Sequence, residues 1–118
     1  MTTLVQDVQA VLATLAPAGG VWYAVNTTEP PVYPYILWIR VASTPNVSLA
    51  GPSNLQNTRI QIDIFSRQVS ELLAMESALE AAMAASGLQN VPLSSMDLYE
   101  EPVRAYRASK DYSVWSTN

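Results

Sequence analysis

The amino-acid sequence predicts an α+β fold in which a mostly antiparallel sheet of about five strands carries two helices packed on one face. Two segments place apolar residues at helical spacing, one at the start of the chain and one in its middle. Five other segments are β-rich and are bounded by turn-forming residues. The predicted order is α-β-β-β-α-β-β. The length of 118 residues fits one domain that spans residues 1–118.

The first element is a helix, for which Thr3 is the expected N-cap. Pro17 and the Gly19-Gly20 pair end it. Residues Val21 to Val25 then predict a short strand. The apolar residues at helical spacing in the first element are Leu4, Val8, Val11, Leu12 and Leu15.

Two clear strands follow, Tyr35 to Ser43 and Arg59 to Phe65. The second alternates isoleucines with polar residues, whereas the first is apolar on both faces. Between them, Thr44 to Asn57 is rich in Pro, Asn, Gly and Ser, which predicts a long connection. It carries no charge. We expect either a loop that becomes ordered against a neighbouring subunit or a mobile one.

The second helix is predicted from about Gln68 to Ser86, because Ala, Leu, Met and Glu dominate there. Gly87 is its expected stop. Two further strands are predicted, Leu93 to Tyr99 and Tyr106 to Trp115, with Pro102 between them.

Three carboxylates, Glu71, Glu76 and Glu80, lie on this second helix, which has no basic residue. The simplest interpretation is a solvated acidic face. The alternative is a surface that faces DNA without binding it, as in a channel, or that meets a basic partner.

Geometry predicts that one sheet face lacks cover. Five strands at about 4.8 Å spacing make a sheet roughly 24 Å wide, and two helices cover roughly one face of it. If the odd-numbered residues of the first long strand face the helices, Ile36 and Trp38 lie on the uncovered face and indicate oligomerisation. The alternatives are that the edges curl over this face or that the two faces are assigned the wrong way round. The predicted oligomer interface comprises Ile36, Trp38, Val47, Leu49 and Leu55.

The composition excludes several kinds of chemistry. The chain has no His and no Cys, which excludes Cys/His zinc sites, Ser-His-Asp and Cys-His catalysis, and thiol redox reactions. Its net charge of −4 argues against a free-standing nucleic-acid binder. No apolar run approaches the roughly 20 residues of a membrane span. We therefore predict no catalytic residue and no metal held by Cys or His.

The remaining carboxylates could still form a metal site. Asp97, Glu100, Glu101 and Asp111 could together hold Mg²⁺ or Ca²⁺, although a solvated turn explains them more simply. Asp63 alternates with isoleucines on its strand. We expect it to pair with an arginine such as Arg59 or Arg104, or to face solvent.

Four features follow one another along the chain. The first is an N-terminal helix of the LVQDVQAVLATL kind. Pro34-Tyr35-Ile36 then enters a hydrophobic strand, and RIQIDIFS (59–66) leads directly into an alanine-rich helix. The last is a C-terminal strand of the form Arg107-x-x-x-Asp111-Tyr112-Ser113-Val114-Trp115. In the order and spacing of these features, over nearly the whole chain, the sequence resembles the tail-completion, or tail-terminator, proteins of long-tailed bacteriophages and related gene-transfer particles.

The resemblance implies a virion protein that assembles into a ring, commonly a hexamer, at the head-proximal end of the tail tube. Such a ring caps polymerisation of the major tail tube protein and joins the tail to the head connector or head-completion protein. DNA passes through it without sequence-specific binding. The resemblance implies no enzymatic activity and no cofactor. The alternatives are another head-tail joining protein of the neck or connector, and a cellular oligomeric α+β binding module.

Overall fold

A computed structural model describes residues 3–28, 30–48 and 51–117, with side chains except those of 44–48, 51–55 and 117. Within these residues the predicted order is confirmed, with one added 3-10 turn. The elements are α1 (Leu4–Ala13), β1 (Val21–Tyr23), β2 (Tyr35–Ser48), β3 (Gly51–Ser66), α2 (Val69–Ala85), β4 (Gln89–Glu100), the turn Glu101–Val103 and β5 (Ala105–Thr117).

The five strands form one sheet in the order β1-β2-β3-β5-β4. β1 runs parallel to β2, and the three other pairs are antiparallel, which confirms the predicted mostly antiparallel sheet. β1 and β4 are therefore the outermost strands. Within the described residues, neither helix has the length and apolar character that a membrane crossing requires.

The start of α1 follows from a local hydrogen-bonding signal. Thr3 is the N-cap, as predicted, and its hydroxyl accepts a hydrogen bond from the Gln6 amide at 3.2 Å. The Gln6 side chain returns the interaction by accepting from the Thr3 amide at 2.9 Å. This capping box satisfies two backbone donors that the helix itself leaves open.

The predicted long connection over Thr44 to Asn57 is wrong. β2 and β3 extend into it from either end and pair antiparallel from Ser43↔Thr58 to Ser48↔Gly51, and residues 49 and 50 lie outside the described residues. The turn-forming residues predicted a loop because they lack apolar alternation. Strand pairing, however, is made by backbone hydrogen bonds, which form without alternating apolar side chains. β3 pairs with β5 only from Leu55 onward, so Pro52 lies where β3 has a free side and its missing donor costs little.

Both helices pack on the same sheet face, as predicted, and the core lies between them. Its buried members are Val8, Leu12, Ile36, Trp38, Ile60, Ile62, Ile64, Leu72, Leu79, Met83, Ala108, Tyr112 and Val114. The opposite sheet face, which we call the open face, receives no helix from the described residues.

The two faces of β2 are the reverse of the expectation. Ile36 and Trp38 are 0% and 1% exposed in the core, so they do not form the predicted uncovered interface. The register decides this, because Ile36 pairs with Ile64 and Trp38 with Ile62, on the one-sided apolar strand β3. Since β2 is apolar on both faces, its own pattern could not select between them. Gln9 of α1 accepts a hydrogen bond from the Trp38 indole at 2.8 Å.

Candidate interaction surfaces

The centre of the open face is ionic. A guanidinium nitrogen of Arg107 lies 2.9 Å from Asp63 and another lies 3.0 Å from Glu100. Arg59 contacts Asp111 at 2.5 Å. The expectation that Asp63 pairs with an arginine is therefore confirmed, but the partner is Arg107 rather than Arg59 or Arg104. Arg107 of β5 pairs with Phe65 of β3, and Asp63 is the open-face residue two positions before Phe65. Arg107 and Asp63 are therefore diagonal neighbours on the same face, close enough for their side chains to meet.

The Arg107 pair is partly shielded from water. Burial alone would lower the pKa of Arg107, but the bonds to Glu100 and Asp63 outweigh it, so the pKa is raised above its ordinary value. The guanidinium also lies 5.5 Å from the centre of the Phe65 ring. The Phe65 and Tyr35 rings are stacked, with their centroids 4.7 Å apart. These contacts order this end of the open face within the subunit.

The margins of the sheet are apolar and exposed. On β2, beyond the end of β1, Ile39 is 42% and Val41 is 50% exposed. On β4, every residue is exposed except Asn90 and Glu100. The exposed apolar residues of β4 are Val91, Leu93, Met96, Leu98 and Tyr99. The open face is thus a polar centre between two apolar edges, rather than one apolar sheet surface.

A groove of about 740 Å³ lies on the helix side of β4, next to the C-terminal half of α2. Uncharged residues supply most of its wall, including Leu88, Pro92 and Leu93. Its charged members are Asp111, which contacts Arg59, and the pair of Lys110 with Glu80 at 2.7 Å. The Glu80 side chain remains 61% exposed at the mouth of this region, whereas Lys110 is 7% exposed.

The three carboxylates of α2 do not form one uniform solvated face. Glu71 accepts a hydrogen bond from the Ser66 hydroxyl at 2.6 Å, and Glu80 pairs with Lys110. The Glu76 side chain is half-buried and hydrogen-bonds with the Asp97 carboxyl of β4. Only Glu80 combines substantial exposure with a position beside a groove. Whether any of the three faces a channel or a partner stays a prediction.

Burial and the neighbouring Asp97 carboxyl raise the pKa of Glu76, against the opposing effect of Lys110 and with a further contribution from Glu80. A carboxyl whose pKa is raised by folding lowers the free energy of unfolding when the pH is above its folded-state pKa. This cost disappears as the pH falls to the pKa that the carboxyl has in the unfolded chain. We therefore expect Glu76→Gln to raise the free energy of unfolding by about 1 kcal/mol at pH 7. The gain should shrink as the pH falls toward 4.5, the ordinary pKa of a glutamate carboxyl, in urea titrations at several pH values.

Glu101→Gln is the matched control, because it removes the same charge from an exposed turn. It should change the free energy of unfolding by less than about 0.5 kcal/mol at pH 7. A loss of stability in Glu76→Gln at pH 7 would show that the Glu76 carboxylate is stabilising, contrary to this account.

The possible metal site is not assembled in the part of the chain that the structure describes. Glu100 contacts Arg107, Asp111 contacts Arg59, and Asp97 lies by Glu76. Among these described residues, no three acidic side chains are grouped to hold a metal ion.

Sequence reasoning missed the exposed pairs Ile39 and Val41 on β2, and Val91 and Leu93 on β4. A usable signal existed, because β2 is apolar on both faces and its excess apolar side must remain outside one subunit's core. Of the other predicted interface residues, Leu49 lies outside the described residues. Val47 and Leu55 lie within β2 and β3, but their side chains lie outside the description.

The fold and these surfaces define a small α+β domain with apolar margins at both sides of its sheet. The chain belongs to the family of tail completion protein gp17, whose model matches residues 1–117. The resemblance inferred from the sequence is thereby confirmed, and the protein is a structural component of the phage virion, located in the tail and neck region.

A solved structure shows the same fold. The chain is similar to one in the "Virion of native gene transfer agent (GTA) particle", with a TM-score of 0.61 and 16% identity. The match covers 97% of this chain and 91% of that one. A comparison with curated proteins finds no match.

Proposed function

We propose that this protein forms a ring, a hexamer as the resemblance implies, at the head-proximal end of the tail tube. There it stops tube polymerisation and supplies the surface on which the head connector docks. The observation that carries this proposal, beside the family, is that one subunit exposes different apolar surfaces at its two sheet margins. A contact between two different surfaces, repeated around an axis, closes a ring.

The proposed partners are the major tail tube protein on one side of the ring and a head connector or head-completion protein on the other. DNA passes through the centre without sequence-specific binding. The net charge of −4 supports this, because an acidic wall does not retain phosphates as a basic wall would. The role is structural and involves neither catalysis nor a cofactor.

Deleting the gene from the phage or particle that encodes the chain tests the proposal. Electron microscopy of the lysate should show overlong or headless tails, because nothing caps the tube. Normal tails should return when the wild-type protein is supplied. Tails of normal length beside filled heads that leak DNA would instead assign the protein to head completion and contradict tube termination.

A further inference from the structure

Both sides of the sheet end in strand segments with no neighbouring strand among the described residues. β1 is only three residues long and pairs with Ile36 to Trp38 of β2. Beyond Trp38, the outer side of β2 meets no described strand, and the Arg40 amide donates a hydrogen bond to the Tyr23 hydroxyl at 3.3 Å. On the far side, β4 pairs with β5 and has no further neighbour within the described part of the chain.

The exposed apolar residues of these two edges stand at the same height across the sheet. Ile39 of β2 pairs with Gln61 of β3, Gln61 pairs with Asp111 of β5, and Asp111 pairs with Ser94 of β4. In the same way, successive pairs connect Ala42 of β2 to Val91 of β4, by way of Arg59 and Ser113. The segments 39–42 and 91–94 are therefore level with each other, at opposite margins of one subunit.

The two segments also match in character. Ile39 and Val41 are 42% and 50% exposed, and Val91 and Leu93 are 48% and 52% exposed. From Gln89 to Met96, β4 carries no charged residue. Soluble proteins usually protect an exposed edge with charge, and this edge lacks that protection. Such an edge suits a partner that is itself nearly uncharged.

The one charge of the segment 39–42 also has a counterpart. Arg40 is exposed and, within the described residues, forms no ion pair with a carboxylate. Arg40 pairs with Ile60, Ile60 with Tyr112, and Tyr112 with Pro92, so Arg40 and Pro92 are level across the sheet. Arg40 lies on the helix side of the sheet, like its partner Ile60. The groove beside Pro92 is on that same side and contains the exposed Glu80 carboxylate.

We propose that the segment 39–42 of one copy packs against the segment 91–94 of the next, with Arg40 entering the groove toward Glu80. This inference rests on the proposed ring and names the surfaces that join its subunits. Because the segments are level, neighbouring copies meet without an axial offset, as a closed ring requires. β2 and β4 run in opposite directions, so the contact is antiparallel. Pro92 lacks an amide donor, so side-chain packing carries the contact rather than a continuous ladder.

Cysteine cross-linking tests the contact directly, because the chain contains no cysteine. Particles assembled with the double variant Val41→Cys and Leu93→Cys should yield, on oxidation, a ladder of covalent multimers that ends at the ring number. The control pairs Val41→Cys with Leu73→Cys, which is equally exposed on α2 but outside the proposed contact. The control should yield no ladder.

A charge reversal supplies a second readout. Arg40→Glu should reduce incorporation of the protein into particles by about tenfold, since the new carboxylate faces Glu80. Arg104→Glu makes the same change at an exposed position outside the contact and should incorporate normally. Circular dichroism of both purified variants checks that each one folds.

The outcomes separate this inference from the function on which it rests. Rings visible by electron microscopy, with no ladder from Val41→Cys and Leu93→Cys, would overturn the proposed contact and leave the ring intact. Normal incorporation of folded Arg40→Glu would overturn the role of Arg40. Particles that contain the protein but no ring of it would overturn the proposed function as well.

Discussion

Replacing Trp38 with alanine is expected to lower the free energy of unfolding by about 3–5 kcal/mol. Trp38 is 1% exposed, and its indole donates a hydrogen bond to Gln9. The Trp38 and Tyr23 rings pack edge to face, with their centroids 4.8 Å apart. Its removal leaves a cavity beneath α1 and frees the Gln9 acceptor. Because small domains are stable by only about 5–15 kcal/mol, urea denaturation followed by circular dichroism should show a large shift in midpoint.

Ile39→Ala is the matched control, since Ile39 is the next residue of the same strand and points to the opposite face. It is 42% exposed and should cost less than about 1 kcal/mol. Equal losses for the two variants would contradict the assignment of faces. The contrast also has a practical consequence, because a failure of Trp38 variants to assemble reports lost folding rather than a lost interface.

Replacing Asp63 with alanine is expected to have the next largest effect, a loss of about 2–3 kcal/mol in the free energy of unfolding. Asp63 is 6% exposed and sits 2.9 Å from the Arg107 guanidinium, which is itself 27% exposed. Without Asp63, Arg107 stays partly buried with Glu100 as its remaining carboxylate partner. Urea denaturation at pH 7 measures the loss.

Asp111→Ala serves as the control on the same sheet face. Its partner Arg59 is 52% exposed, so water replaces the lost carboxylate and the cost should be less than about 1 kcal/mol. In addition, Asp63→Ala combined with Arg107→Met should recover part of the loss, because the partly buried guanidinium that has lost one of its two carboxylate partners is then absent. If the double variant is no more stable than Asp63→Ala, the partly buried Arg107 charge is not the source of the cost.

Elements with strong local signals could be predicted well from the sequence. The capping box at Thr3 starts α1, the run of strong helix formers between Gln68 and Ser86 forms α2, and the isoleucine alternation marks β3. Each signal acts over a few residues, through hydrogen bonds or side-chain periodicity. The paired segments 44–48 and 51–57 have no such signal and depend on pairing between strands.

The candidate surfaces could be predicted only in part. The two-helix count correctly indicated that one sheet face would lack a helix. The residues assigned to that face were wrong, because Ile36 and Trp38 belong to the core. The sequence predicted that Asp63 pairs with an arginine but did not identify Arg107, since the partner depends on which residues of β3 and β5 stand side by side.

The sequence by itself determined the order of the elements, the absence of His and Cys chemistry, and the family to which the chain belongs. Only the tertiary structure decided which side of β2 is buried, which charges meet, and that the apolar segments 39–42 and 91–94 are level. The physical reason is strand register. Moving a strand by one residue exchanges its two faces, and local sequence does not encode that choice when both faces are apolar.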